Sequence, residues 1–511
     1  MRTRSTPPPR PVPLYFTEQV RTLERAALDT TPEGTLMARA GKAAADLALR
    51  LLGSAAGARV LVLAGPGNNG GDALVAARHL TGMQAQVALL PYYVDTAPCP
   101  DDARRARNEY QAAHGGWVAP VPESCDGNWD LVIDGLFGIG LRRGFDTTTA
   151  AIVRAVNRLR CPVLALDVPS GLDADTGQPV DMDAGAVRAT HTITFIADKP
   201  GLYTGLGRDH AGEVTLADLN LDRAIYPPSD LHLATIGAFQ PALRQRRHGS
   251  HKGSHGDVVV AGGAHGMTGG AILAARAALF CGAGRVYAAL LDRTTSYDAP
   301  HPELMLRSAD GIEFARAVIV AGQGMGRDEA ARRLLERALD AGRPTVLDAD
   351  ALNLVAADTD LQRKLASRGQ DFILTPHPLE AARLLGQNAE QIQRARIDTA
   401  RMLARRFNCI AVLKGSGTVI AAPDGQAMIN PTGNAGLATA GSGDVLAGIC
   451  GALLAQGFSP WHAALAGVWT HGAAADSLVE EGIGPIGLTA SELIPRVRRL
   501  LNQLTGQYAE S

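Results

Sequence analysis

Arg59-Val60-Leu61-Val62-Leu63-Ala64 runs straight into Gly65-Pro66-Gly67-Asn68-Asn69-Gly70-Gly71-Asp72, and a helical apolar pattern from Ala73 to Leu80 follows. A short β-branched run bounded by glycine has the make-up of a parallel strand buried on both faces. Strand, glycine-rich turn and helix in that order form the repeating unit of doubly wound α/β domains. Gly65, Gly67 and Gly70 also satisfy the GxGxxG spacing of dinucleotide-binding turns. Asn68, Asn69 and Asp72 inside that turn are not typical of a dehydrogenase loop, and point to polar contacts beyond a pyrophosphate.

The same pattern recurs outward from this stretch. Upstream, Leu23 to Thr30 and Leu36 to Leu52 have helical spacing, the second with Met37, Ala40, Ala44, Leu47 and Leu51 on one stripe. Downstream, Trp129-Asp130-Leu131-Val132-Ile133 delivers Asp134 into Gly135 to Gly144, and the run 161–166 delivers Asp167 into Val168-Pro169-Ser170-Gly171. Strands of a parallel sheet present their carboxyl ends at one edge, where ligands bind. Asn69, Asp134, Asp167 and Ser170 are therefore expected to converge. A single aspartate at a strand end serves as a helix N-cap about as often as a site residue, but three strand ends with glycine loops favour a site. Neutral oxygens around few charges suit a weakly held monovalent cation better than zinc.

A second α/β segment follows Pro227, Pro228 and Pro241, with a domain boundary near 230. Strand-like runs end at Gly262-Gly263, Gly322-Gln323-Gly324, Asp348-Ala349-Asp350, Thr375-Pro376-His377 and Lys414-Gly415-Ser416-Gly417-Thr418. The stretch Asn434 to Gly448 then places Gly441-Ser442-Gly443 before Asp444 and an apolar helical pattern. Amides at such a helix start suit an anion, and Asp444 beside them suits a proton acceptor. Lys414 follows a strand but its order is not that of a P-loop; with His377 and Asp444 it reads as a nucleotide-dependent phosphoryl-transfer site. His248, His251 and His255 lack a fourth ligand and read as a polar loop on the ligand side rather than a metal site.

Composition bounds the rest. The chain has 511 residues, enough for two or three domains, with 46% hydrophobic and 20% charged residues and a net charge of −2. Neither nucleic acid nor a membrane surface is an expected partner, and no apolar run approaches the roughly 20 residues of a spanning helix. Residues 1–13 read as a disordered leader. The scattered cysteines have no CxxC pair, which fits reduced thiols in the cytoplasm.

GPGNNGGD (65–72), DGLFGIGL (134–141) and DVPSGLDADTG (167–177) resemble the NAD(P)H-hydrate epimerase or YjeF N-terminal domain, over about residues 14–229. The resemblance implies a Rossmann-like fold that interconverts the R and S epimers of hydrated NAD(P)H. It implies a substrate lining of Asn68, Asn69, Gly70, Gly71, Asp72, Gly138, Ile139, Gly140, Leu141, Arg142, Arg143 and Gly144. It makes Asp167 catalytic and in contact with substrate, and gives potassium to Asn69, Asp134 and Ser170. Ala73 stands where the family often has glycine.

GGAHGMTGGAILAARAALFCGAG (262–284), GQGMG (322–326), LDADALN (347–353), TPHPLE (375–380), LKGSGT (413–418) and GNAGLATAGSGDVLAG (433–448) resemble the ADP- or ATP-dependent NAD(P)H-hydrate dehydratase, a ribokinase-like α/β domain, here 230–511. That resemblance implies substrate contacts at Ala271, Gly324, His377 and Asp444, with Asp444 as base. It implies ADP or AMP contacts at Lys414, Gly415, Ser416, Gly417, Thr418 and Gly443, with Mg²⁺ as charge partner. Leu379, Ala435 and Ala440 replace the family's usual Gly, Pro and Gly, and their added carbons are expected to narrow the pocket. The chain is thus expected to be a bifunctional repair enzyme acting as a homo-oligomer on hydrated NADH or NADPH, with ADP preferred as phosphoryl donor. The alternative is a ribokinase-like small-molecule kinase with a non-catalytic N-terminal binding or dimerisation module. Sugar kinases share only the GxGD core of these motifs, which weighs against it.

Overall fold

The computed structural model describes residues 10–91, 99–114, 127–141, 143–369 and 371–506. They divide between Ser229 and Asp230 into two compact units, and residues 10–12 group with the second. Both are α/β with largely parallel sheets. Part of the stretch expected to be a disordered leader is ordered: Val12–Pro13 form a two-residue strand at the edge of the second sheet, beside Leu231–Leu233. Main-chain pairing at an edge needs no side-chain periodicity, and an edge is where a proline without N–H is tolerated. Residues 1–9 lie outside the described residues.

The first unit holds six parallel strands in the spatial order Gln86–Pro91, Arg59–Ala64, Leu131–Gly135, Val163–Leu166, His191–Phe195, Glu213–Ala217. The direction of winding reverses between Arg59–Ala64 and Leu131–Gly135, which opens a crevice beyond their carboxyl ends. Val60 to Leu63 are wholly buried, as their unbroken apolar run requires.

Asn68 to Asp72 do not form a loop. They are the first turns of the helix Asn68–Gly82, capped by extended Gly67. The glycines that suggest a turn serve close packing instead. A Cβ on Gly70 would lie 1.9 Å from Gly65 O, and one on Gly71 2.5 Å from Met37 Cε on the helix Thr35–Leu52. The apolar stripe of that helix, Met37, Ala40, Ala44 and Leu47, is buried against it. Ala73 is also buried, its methyl set against Gly135.

In the second unit seven parallel strands run in the order Met305–Ser308, Arg285–Leu290, Asp257–Gly262, Val318–Ala321, Thr345–Leu347, Phe372–Leu374, Ile410–Leu413. Antiparallel Val419–Ala421 and Ala427–Ile429 extend the sheet, and Leu231–Leu233 pairs parallel with the latter. The helix Ser442–Ala455 is apolar almost all round and buried from Val445 to Leu454. It packs along Thr268–Phe280 so closely that a Cβ on Gly448 would lie 2.1 Å from Ala274 O. No described helix is long and apolar enough to cross a membrane.

That contact is backbone against side chain, so relief requires the two helices to separate. Gly448→Ala is expected to destabilise the second unit by about 1–3 kcal/mol, the usual scale of overpacking. Gly311→Ala, where a Cβ would meet nothing within 4 Å, should stay within about 0.5 kcal/mol of wild type. Scanning calorimetry of the full chain distinguishes the two.

Candidate active sites

In the first unit the crevice at the winding reversal has a volume of about 610 Å³ and is lined by Asn68, Asn69, Asp72, Gly138 to Leu141, Arg143 and Asp167, among others. Asp167 follows the strand Val163–Leu166 with φ 65°, a left-handed conformation uncommon for a residue with a side chain. Its Oδ1 accepts a hydrogen bond from Lys199 Nζ at 2.6 Å, and its Oδ2 one from Ile139 N at 3.3 Å. A Cβ on Gly138 would stand 3.0 Å from Asp167 Oδ2, so the glycine leaves the carboxylate approachable. Lys199 is wholly buried and also donates to Thr194 Oγ1 and Phe195 O, both at 2.8 Å. A lysine without solvent is tolerable because carboxylate, hydroxyl and carbonyls replace its hydration.

Under the crevice floor Asp134 is fully buried, its Oδ1 accepting from Ser170 Oγ at 2.6 Å and its Oδ2 from Ser170 N at 2.8 Å. Burial pushes its carboxyl up to about 6 against those hydrogen bonds. Asn69 is buried too, and both polar atoms of its amide lack a hydrogen-bond partner. Burial, and next the charge of Asp167, hold Asp72 well above the usual carboxylate range.

Gly70, Gly71 and Gly144, expected to line the substrate, are not among the residues that line this crevice. Gly70 and Gly71 face packed backbone and Met37, and a Cβ on Gly144 would lie 2.5 Å from Asp181 Oδ2, away from the crevice lining. Helical periodicity turns the middle of the Asn68 to Asp72 run inward. Arg142 lies outside the described residues.

In the second unit the carboxyl edge gathers Asp348, His377, Lys414 and Asp444. Lys414 Nζ donates to Asp348 Oδ1 at 2.6 Å and lies 4.0 Å from Glu380 Oε2. A Cβ on Gly443 would come within 3.2 Å of Lys414 Nζ, and one on Gly270 within 3.0 Å of Asp444 Oδ2. Glycines at both places leave room around the carboxylate and the ammonium. Asp444 occupies the first turn of Ser442–Ala455, whose leading N–H groups have no intrahelical acceptor. Burial, then the nearby Asp348, raise its carboxyl to about 6 while Lys414 opposes the shift. Glu380 is raised to about 7 by burial, again opposed by Lys414.

His377 caps the helix Pro378–Leu385: its Nδ1 accepts from Leu379 N at 3.1 Å and Glu380 N at 3.3 Å. That leaves the proton on Nε2, 3.2 Å from Glu380 Oε1. Arg396, almost fully buried, holds the Lys414 to Thr418 loop from beneath by donating to the carbonyls of Leu413 and Lys414 at 3.3 Å and Gly417 at 3.4 Å. Gly415 (φ 133°) and Ser416 are left exposed on the outer side, while Gly417 is buried.

Ala271 is fully buried, and its neighbour Gly270 is the residue that faces Asp444. Gly324 is partly exposed beside Met267 O. Leu379, Ala435 and Ala440 are all exposed, so their added carbons displace no packed atom. The loop bearing His248, His251 and His255 is not on this edge. It leads through Gly256 into the amino end of Asp257–Gly262.

Lys199, Asp348, Glu380 and Arg396 escaped the sequence reading as site residues. A lone lysine after an apolar run, Phe195-Ile196-Ala197-Asp198-Lys199, was the available signal for the first. Asp348 and Glu380 stand in strand-end turns already recognisable as such. Nothing in the local pattern marks Arg396, which lies within a helix.

A family model described as YjeF-related protein N-terminus matches residues 33–201, and one described as NAD(P)H-hydrate dehydratase matches residues 258–498. The chain is 39% identical to the bifunctional NAD(P)H-hydrate repair enzyme Nnr of Escherichia coli (strain K12), over 96% of this chain and 94% of that protein. It is also 39% identical to the enzyme of the same name from Coxiella burnetii, over 96% and 99%. The crystal structure of ADP/ATP-dependent NAD(P)H-hydrate dehydratase from Bacillus subtilis with ATP/Mg²⁺ aligns at 30% identity and a TM-score of 0.46, covering 53% of this chain and 97% of that one. With both units matched in order and the likeness running through nearly the whole length, the chain belongs to the family of bifunctional NAD(P)H-hydrate repair enzymes.

Proposed function

We propose that the first unit interconverts the R and S forms of NAD(P)H hydrated at C6, and that the second returns the S form to NAD(P)H with ADP as phosphoryl donor. The observation that carries the reading is Asp444 in the first turn of an apolar helix, open toward Gly270 and flanked through Gly443 by Lys414.

In the dehydratase reaction the C6 hydroxyl gives its proton to Asp444 as its oxygen attacks the β-phosphorus of ADP, and the bond to AMP breaks. The Gly441 to Gly443 amides and Lys414 meet the charge on the moving phosphoryl group. The ring-nitrogen lone pair then assists departure of phosphate from C6, a proton leaves C5, and the C5–C6 double bond closes. The sum is hydrate plus ADP giving NAD(P)H, AMP and phosphate. The Lys414 to Thr418 loop, shaped by Arg396, would hold the nucleotide, and His377 would fix Glu380 beside the lysine. Among the described residues no three His, Cys, Asp or Glu side chains are grouped to hold a metal ion by themselves, so Mg²⁺ would enter with the nucleotide phosphates, which it would hold and partly neutralise.

Epimerisation needs the hydroxyl to leave one face of C6 and water to return on the other. Asp72, whose carboxyl burial and next the charge of Asp167 push well above the usual carboxylate range, suits the donor to the departing hydroxyl. Asp167, paired with Lys199, suits the acceptor from incoming water. Among the described residues the buried Asp134 has no basic partner and the buried Asn69 amide no hydrogen-bond partner, which supports a potassium site at Asp134, Ser170 and Asn69. The ion would supply the missing positive charge under the crevice floor.

Separated R and S hydrates mixed with the full chain and ADP, and followed by reduced-nicotinamide absorbance, test the whole reading; no recovery from either would overturn it. Asp444→Asn should lower recovery by about 10²–10⁴-fold while epimer exchange continues, and Asp167→Asn should do the reverse. Loss of both activities in both variants would argue against separate sites.

The pH profile supplies a further check. A base raised to about 6 is protonated below that value, so kcat/KM for S-hydrate recovery should fall as pH drops through about 6. Lys414 opposes the rise, so Lys414→Met should move that acid limb upward, whatever it does to nucleotide affinity. An unmoved limb would remove Asp444 from the role of base. ADP is expected to support a higher kcat/KM than ATP, and the reverse order would replace ADP as donor.

A further inference from the structure

The second unit carries a cleft that the repair chemistry does not use. It lies at the amino edge of the sheet, opposite the edge that carries Lys414 and Asp444. Its wall includes Ser254 and His255, just before Asp257–Gly262, and Gly282, just before Arg285–Leu290. Its volume is about 1110 Å³, at the upper end of pockets that enclose cofactor-sized ligands.

Charge sets it apart. Arg244, Arg246, Arg247 and Arg498 line it with His255 and His301, against the single carboxylate of Glu303. Several arginines elsewhere in this unit meet acids, as Arg276 does Asp298, Arg285 does Asp257 and Arg496 does Glu481. Arg244, Arg247 and Arg498 have no such carboxylate among the described residues. Arg244 donates to the carbonyls of Pro241 and Leu243, and Arg498 lies over the Phe280 ring at 4.6 Å, so among the described residues no carboxylate cancels either charge. Arg246 is tied to Gly282 O at 2.5 Å, which fixes one guanidinium at the cleft wall.

Like charges gathered in a concave wall repel one another and concentrate anions there. Guanidinium forks match phosphate oxygens in pairs, and several forks around one cleft match a chain of them. We propose that this cleft is a second anion site, distinct from the phosphoryl-transfer edge, that takes a ligand with two or more linked phosphates. Free polyphosphate and the diphosphate of a nucleotide or dinucleotide share that chemistry. The inference does not depend on which reaction the opposite edge performs.

Calorimetric titration of the full chain with inorganic tripolyphosphate, ADP and NADPH in turn tests it, comparing wild type with the double variant Arg247→Ser, Arg498→Ser. Wild type should bind one equivalent of tripolyphosphate per chain that the variant loses or binds about tenfold more weakly, with the difference shrinking at high salt. S-hydrate recovery at saturating ADP should stay within about twofold, since neither arginine is near Asp444. Tighter binding of ADP or NADPH than of tripolyphosphate at this site would identify a nucleotide ligand, and equal or weaker binding a free polyphosphate; both support the proposal. Unchanged tripolyphosphate binding in the variant overturns it. A changed oligomeric state by light scattering with tripolyphosphate binding intact also overturns it, making the cleft an interface between copies. Arg247→Glu, at an exposed position, carries the same test if the double variant does not fold.

Discussion

A lysine wholly or partly taken out of water must be repaid by negative or polar groups at hydrogen-bond distance, and that constraint shapes both candidate sites: Lys199 is fully buried and Lys414 half-buried. In the second unit Lys414 is satisfied by Asp348, with Glu380 close behind and Asp444 within its field. Burial raises the carboxyls of the neighbouring acids, Asp444 to about 6 and Glu380 to about 7, with Asp348 adding to the rise and Lys414 opposing it. A base poised near neutral pH therefore results from the burial of the acid itself, moderated by the lysine beside it. In the first unit Lys199 and Asp167 repeat the arrangement, and Asp72 is the acid displaced upward.

Holding such groups together demands backbones that approach more closely than side chains permit. Gly70 against Gly65 O, Gly138 over Asp167, Gly270 over Asp444 and Gly443 beside Lys414 mark where the chain gives up Cβ atoms so that helices, strands and charged groups share one edge. The glycines of these turns and helix starts thus serve packing as much as phosphate. Two residues in one run can serve different ends: Asn69 presents an unpartnered amide beside the crevice while Gly70 beside it faces backbone.

The strands were legible because their chemistry is local. Arg59–Ala64, Phe372–Leu374 and Ile410–Leu413 are short apolar runs between glycine, proline or charged turns, and they stand where the pattern puts them. Edge strands such as Met305–Ser308 and Val12–Pro13 were not legible, since an edge needs only main-chain partners. Asn68 to Asp72 were misread as a loop because glycine propensity is weak evidence once a neighbouring helix and strand can enclose the segment.

By itself the sequence determined the class of fold, the succession of two α/β segments and the order of their motifs, and it placed Asp167 at a strand end and Asp444 at a helix start. These follow from residue type and spacing along the chain. Only the tertiary structure decided what those carboxylates face. Lys199 is 32 residues from Asp167, and Lys414 66 residues from Asp348; Arg396 reaches the Lys414 loop from a different helix. The charge state and openness of a site depend on neighbours brought together across the sheet edge, and no periodicity along the chain encodes them.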